Sequence, residues 1–184
     1  MSDPTDIDRK SFRRWIRDPV RRLLKQKHAG FALTMISFPI LERLLRGKSG
    51  IADRPIRSGS DDEKRFYAAL TGYFPALYCS APGTFPDVAN VFWQGFRNGI
   101  LHQATFSHKG FTVKKNQPPA SCIFILKTGI AIKVNESKRL IAMDPFAFSE
   151  SVVELIEADF EIYRKVDCTN HPLAFELDSV VMGI

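Results

Sequence analysis

Residues 96–104 read Phe96-Arg97-Asn98-Gly99-Ile100-Leu101-His102-Gln103-Ala104, and place a permanent cation, an amide and an imidazole in an otherwise apolar stretch. Arginine presents a rigid fork of donors that matches phosphate, and histidine gives or takes a proton near neutral pH. Together they point to chemistry on a phosphodiester. An α-helix turns about 100° per residue, so Asn98 and His102 fall nearly on one face and the amide can orient the imidazole. Arg97 and His102, five apart, diverge by roughly 140° on a straight helix. The long guanidinium arm, a local break near Gly99 or a second copy of the helix would bring them together, which favours a site at a helix–helix seam.

Arginines also precede histidines at similar spacing in Arg21 and Arg22 before His28, and in Arg164 before His171. Arg97 differs from these because a polar Asn98 follows it directly. A small Gly99 then permits close approach of a neighbouring backbone, and an amphipathic helical pattern surrounds the group. Arg97-Asn98-Gly99-Ile100-Leu101-His102 resembles the Arg, polar residue, His signature of the HEPN superfamily of helical domains, over about positions 96–106. The resemblance implies a metal-independent endoribonuclease acting on RNA, with no cofactor and with a site commonly built from two protomers, hence a homodimer. It also implies a prokaryotic stress or defence setting of the toxin–antitoxin type, with an antitoxin or other partner protein. In this reading Arg97 binds phosphate, Asn98 orients the imidazole and His102 is the general acid or base. Two competing readings remain: a non-catalytic HEPN-like module that binds nucleic acid, a nucleotide or a partner protein, and a structural cluster in which His102 and Arg97 fix helix packing.

Outward from the motif, Thr84-x-x-Asp87 is a capping pattern that opens a helix of about twenty residues with Val88, Phe92, Phe96 and Ile100 along one stripe. Upstream, Ser60-Asp61-Asp62-Glu63 is a capping box before Phe66, Leu70 and Phe74, and that helix should end by Pro75. Asp18-Pro19 reads as an N-cap with proline at the first helical position. Residues 19–46 read as a helix broken or kinked by Gly30 and Pro39 and ending at Arg46-Gly47.

Downstream the periodicity becomes alternating. Phe111 and Val113, the run from Cys122 to Leu126, and Ile130, Ile132 and Val134 after a Thr128-Gly129 turn read as three short strands, with Arg139–Ala142 as a candidate fourth. Asp144-Pro145 repeats the N-cap and proline device before a helix to about Val166, with Phe148, Val152, Ile156, Phe160 and Tyr163 as its stripe. The expected fold is α+β: a mainly helical, HEPN-like bundle of four or five helices with a small inserted antiparallel sheet. It forms a single domain over 1–184, with 1–8 unstructured, 109–142 as the β insertion and 167–184 as a C-terminal extension.

With 45% hydrophobic residues and fifteen Phe, the 184-residue chain has ample material for one aromatic core. No apolar run reaches the roughly 18–20 residues that span a bilayer, and the polar start is unlike a signal peptide. A cytoplasmic protein without membrane contact is expected. Cys79, Cys122 and Cys168 suit neither a disulfide framework nor a zinc site, and His28, His108 and His171 lack partners at metal-ligand spacing.

Charge is strongly segregated. Residues 9–28 hold nine Lys or Arg against Asp18, and residues 144–184 hold nine acids against Arg164 and Lys165. The basic stripe fits a polyanion, a solvated helix face, or docking on the acidic C-terminal part. Trp15, Trp93, Tyr67, Tyr73 and Tyr78 carry no assignment, since stacking on bases and core packing are both open to them.

Overall fold

The structure, a computed structural model, describes residues 9–51, 55–78, 88–98, 122–125, 128–135 and 140–166. It is mainly helical with one small sheet, an α+β arrangement. The helices are α1 (Arg9–Phe12), a π-helical turn (Arg13–Arg17), α2 (Asp18–Leu23), α3 (Gly30–Ser49), α4 (Asp61–Tyr73) and α5 (Val88–Phe92), which runs into a second π-helical turn (Trp93–Asn98). Strands β1 (Cys122–Ile125), β2 (Ile132–Asn135) and β3 (Leu140–Met143) precede α6 (Pro145–Ala158) and α7 (Phe160–Arg164).

Helix α3 is the central element, packed chiefly on α6 and α4. Its Leu33, Phe38, Leu41, Leu44 and Leu45 are fully buried. Pro39 does not break it, contrary to the expected interruption. A helix-interior proline costs about 3 kcal/mol, and burial of each large apolar side chain on this helix returns about 1.5–3 kcal/mol. The break falls earlier, at residues 24–29, so Gly30 opens the helix.

Gly47 is not the terminator either. The helix runs on to Ser49, where Gly50 takes the left-handed conformation (φ 67°) and Ile51 donates its amide to the Arg46 carbonyl at 3.1 Å, closing a Schellman-type end. Gly47 instead permits a close crossing: a Cβ there would lie 2.6 Å from Val166 Cγ2 and 2.8 Å from Ile162 Cγ2.

Asp18-Pro19 also differs from expectation. Helix is already present at Arg9, Asp18 has helical angles (φ −70°, ψ −39°), and its amide donates to the Arg13 carbonyl. Proline removes one amide from the helical ladder, and a π turn immediately before it accommodates that gap. Asp18 pairs with Arg17 Nε at 2.9 Å rather than capping.

The capping box at Ser60 forms, with Ser60 Oγ accepting from the Glu63 amide at 3.1 Å, but Glu63 accepts from the Gly59 amide at 2.6 Å rather than from Ser60. Helix α4 ends at Tyr73, before Pro75. The expected stripes Phe66, Leu70, Phe74 and Val88, Phe92, Phe96 are buried. Ile100, Thr84 and Asp87 lie outside the described residues.

The sheet has the order β1-β3-β2. β2 and β3 are antiparallel, with Ile132 opposite Met143 and Val134 opposite Ile141, whereas β1 lies parallel to β3. The expectation of a purely antiparallel sheet is thereby corrected. The apolar runs identified strands but not their order, because residue type does not encode which edge of β3 each neighbour takes. Ile130 precedes β2 and is exposed. Phe111 and Val113 lie outside the described residues.

Asp144 joins sheet to helix. Its Oδ1 accepts from the Phe146 and Ala147 amides at 3.0 and 3.4 Å, the expected N-cap, while Oδ2 accepts from the Thr128 and Gly129 amides at 2.7 and 2.8 Å. Burial pushes this carboxyl up, but the four amides together hold it below the ordinary carboxylate value. The final helix carries its expected stripe, all buried, yet it is interrupted at Asp159 (φ −103°, ψ 35°).

Candidate functional site

Helix α5 and the π turn that follows it are held from behind by aromatic packing. Phe92 and Phe96 are fully buried, and Phe38 of α3 meets Phe92, Trp93, Phe96 and Phe148 with ring centroids 5.9, 5.7, 6.5 and 5.0 Å away. Trp93 also stands edge-on to Phe66 at 5.0 Å. The backbone of Arg97 and Asn98 closes the π turn that follows these anchors. The side chains of Arg97 and Asn98, and residues 99–105 with His102, Gln103 and Thr105, lie outside the described residues. The expected divergence of Arg97 and His102 likewise falls outside the described residues, since the π-wound turn Trp93–Asn98 is described only as far as Asn98.

The basic stripe splits into two sets. Arg17 reaches Glu157 of α6 at 3.3 Å, Arg21 reaches the same carboxylate at 3.7 Å, and Arg9 lies 3.9 Å from Glu161 of α7. This set docks the N-terminal helices on the acidic C-terminal part. Lys10, Arg13, Arg14 and Arg22 are exposed. With Arg9 and Asp18 they line an open groove of about 490 Å³. Among the described residues these four cations form no ion pair with a carboxylate. The two readings of the stripe, docking and outward charge, therefore each describe part of it.

The aromatic residues separate in the same way. Trp93 and Tyr67 belong to the core and Tyr73 is half-buried, whereas Trp15 is 55% and Tyr78 70% exposed. The Arg14 guanidinium lies 4.9 Å from the Trp15 ring centroid, a cation–π pair on the rim of the basic face.

Two further polar groups escaped sequence reading. Asp159 Oδ2 accepts from the Tyr73 hydroxyl in a short hydrogen bond and from Lys48 Nζ at 3.1 Å. The Tyr73 bond and then Lys48 hold Asp159 below the usual carboxylate range, while burial and that carboxylate raise the Tyr73 phenol. Their partners are 86 and 111 residues away in sequence, so no local pattern could reveal them. Glu42 and Arg46 form a buried pair one helical turn apart, with Arg46 Nε and Nη2 both donating to Glu42 Oε1 at 3.0 and 2.9 Å.

Among the described residues no group of His, Cys, Asp or Glu is arranged to hold a metal, and no helix is long and apolar enough to cross a membrane. His28 is exposed; Cys79, Cys168, His108 and His171 lie outside the described residues. Comparison of the chain with protein families, curated proteins and solved structures finds no match.

Proposed function

We propose that the chain is an HEPN-like, RNA-directed protein and a metal-independent endoribonuclease, with Arg97, Asn98 and His102 as its working residues. The observation that carries the reading is the Arg97-Asn98…His102 sequence, whose first two residues close a π-helical turn anchored in the aromatic core by Phe92, Trp93 and Phe96. The π-wound turn beneath Arg97 and Asn98 adds support, since such turns recur at functional sites.

In this mechanism Arg97 holds the non-bridging phosphate oxygens and offsets the charge that builds on them during attack. His102 takes the proton of the ribose 2′-hydroxyl, the 2′-oxygen bonds to phosphorus, and the 5′-oxygen leaves with a proton. Asn98 fixes the imidazole. The products are a 2′,3′-cyclic phosphate and a 5′-hydroxyl. A cytoplasmic homodimer that gathers the groups of two motif helices into one groove completes the proposal. Sedimentation equilibrium at micromolar concentration checks the dimer, and a monomer would remove the two-protomer site.

No step uses a metal ion, so cleavage of a defined RNA is expected to persist in EDTA and to yield cyclic phosphate ends. Loss of cleavage in EDTA restored by magnesium, or products ending in a 3′-hydroxyl, would contradict the mechanism.

A further inference from the structure

We propose that the groove lined by Arg9, Lys10, Arg13, Arg14 and Arg22 is a track for the sugar–phosphate backbone of single-stranded nucleic acid, with Trp15 as the platform on which one base stacks. The inference deepens the preceding reading by naming a binding surface, and it rests on that reading only in taking RNA as the natural ligand.

The helical stretch 9–23 is divided by burial. Phe12 and Val20 are in the core, with the Phe12 ring 5.6 Å from Phe160 and 5.8 Å from Tyr163. Arg17 and Arg21 are engaged by Glu157. The apolar face and one basic edge are thus used for docking. Outward and without an ion pair among the described residues are Lys10, Arg13, Arg14 and Arg22, beside the exposed Trp15. Asp18, the acid that lines the groove among the described residues, is already taken by Arg17 Nε at 2.9 Å.

Lys10, Arg13, Arg14 and Arg22, which have no carboxylate partner among the described residues, attract a polyanion and release its counterions. Arginines at 13 and 14 suit phosphate oxygens by their planar forks. An exposed indole adds a face for an unpaired base, which a duplex does not offer. An anionic membrane is the other surface such a helix could meet, but interfacial binding requires a free apolar face. Here that face is spent on α6 and α7, with Trp15 the large apolar side chain this stretch leaves exposed.

The test uses full-length protein and fluorescence anisotropy with labelled single-stranded oligonucleotides of one sequence, as 2′-O-methyl RNA and as DNA. Neither can be cut by 2′-hydroxyl attack, so binding is measured whether or not the protein is a nuclease. Affinity is expected to fall steeply with salt. The double variant Arg13→Glu/Arg14→Glu should lose binding, and Trp15→Ala should weaken it roughly 5- to 150-fold while quenching of indole fluorescence by the oligonucleotide diminishes. None of the lining side chains requires a 2′-hydroxyl, so binding of the DNA with the same variant dependence supports the groove equally. Undiminished binding by a folded double variant overturns the proposal. So does binding to phosphatidylserine vesicles in place of both oligonucleotides. Groove-dependent binding with no cleavage of ordinary RNA upholds the groove and removes the nuclease, whereas cleavage insensitive to both variants does the reverse.

Discussion

Trp15 and Trp93 both occupy π-helical turns, yet one is 55% exposed and the other 6%. At Trp93 the neighbours on the inward side are Phe92 and Phe96, and the indole meets Phe66 and Phe38 edge-on at 5.0 and 5.7 Å. At Trp15 the sequence neighbours are Arg13, Arg14, Ile16 and Arg17, of which Ile16 turns to the core, and the Arg14 guanidinium lies over the indole. The same backbone device thus packs its indole in one place and leaves it on the surface in the other. Flanking chemistry, rather than the π winding or the tryptophan itself, decides which.

Substituting each indole breaks this comparison at its strongest point. Trp93→Ala should cost about 3–5 kcal/mol of stability, as large-to-small changes in aromatic cores do, seen as a large fall in the denaturant midpoint. Gly47→Ala should come next. Alanine favours helix by about 1 kcal/mol over glycine, but its Cβ would press on the branched carbons of Val166 and Ile162 at 2.6 and 2.8 Å. Overpacking of that kind costs about 1–3 kcal/mol, so thermal unfolding should show a net loss.

Asp144→Asn should cost about 0.5–1.5 kcal/mol near neutral pH, because asparagine can still cap the helix through its one oxygen but its NH2 cannot accept from the Thr128 and Gly129 amides. Because the folded-state pKa of Asp144 is lowered, its charge contributes stability that is complete above the unfolded value of about 3.9 and is lost as pH falls through the folded value. The difference between wild type and variant should therefore narrow below about pH 4. A constant difference across that range would place the effect in packing. Trp15→Ala is the smallest, within about 0.5 kcal/mol as expected for an exposed side chain. A larger loss would mean that Trp15 supports the fold.

The apolar stripes of α4, α5 and α6 were legible because burial repeats at helical spacing, and the caps at Ser60 and Asp144 were legible because their partners lie within three residues. Glycine and proline misled wherever tertiary contact overrode local preference. Pro39 is carried by the buried face of α3, and Gly47 is a contact point with residues more than a hundred positions later. The direction of β1 and the hydrogen bonds of Asp159 depend on distant segments and leave no local mark. For the candidate site, sequence singled out Arg97, Asn98 and His102 by residue type and spacing, while the anchoring through Phe38 of the π turn that carries the backbone of Arg97 and Asn98 emerged only from the packing.

The central claim is that the motif performs chemistry rather than packing. Cleavage of a defined RNA in EDTA and thermal unfolding, measured on the same preparations of wild type and His102→Ala, test it most directly. The account predicts cleavage reduced by roughly two to four powers of ten with the unfolding temperature nearly unchanged. A wild type that does not cut RNA, paired with a variant destabilised by about 1–3 kcal/mol as when a buried hydrogen-bond partner is removed, would contradict it.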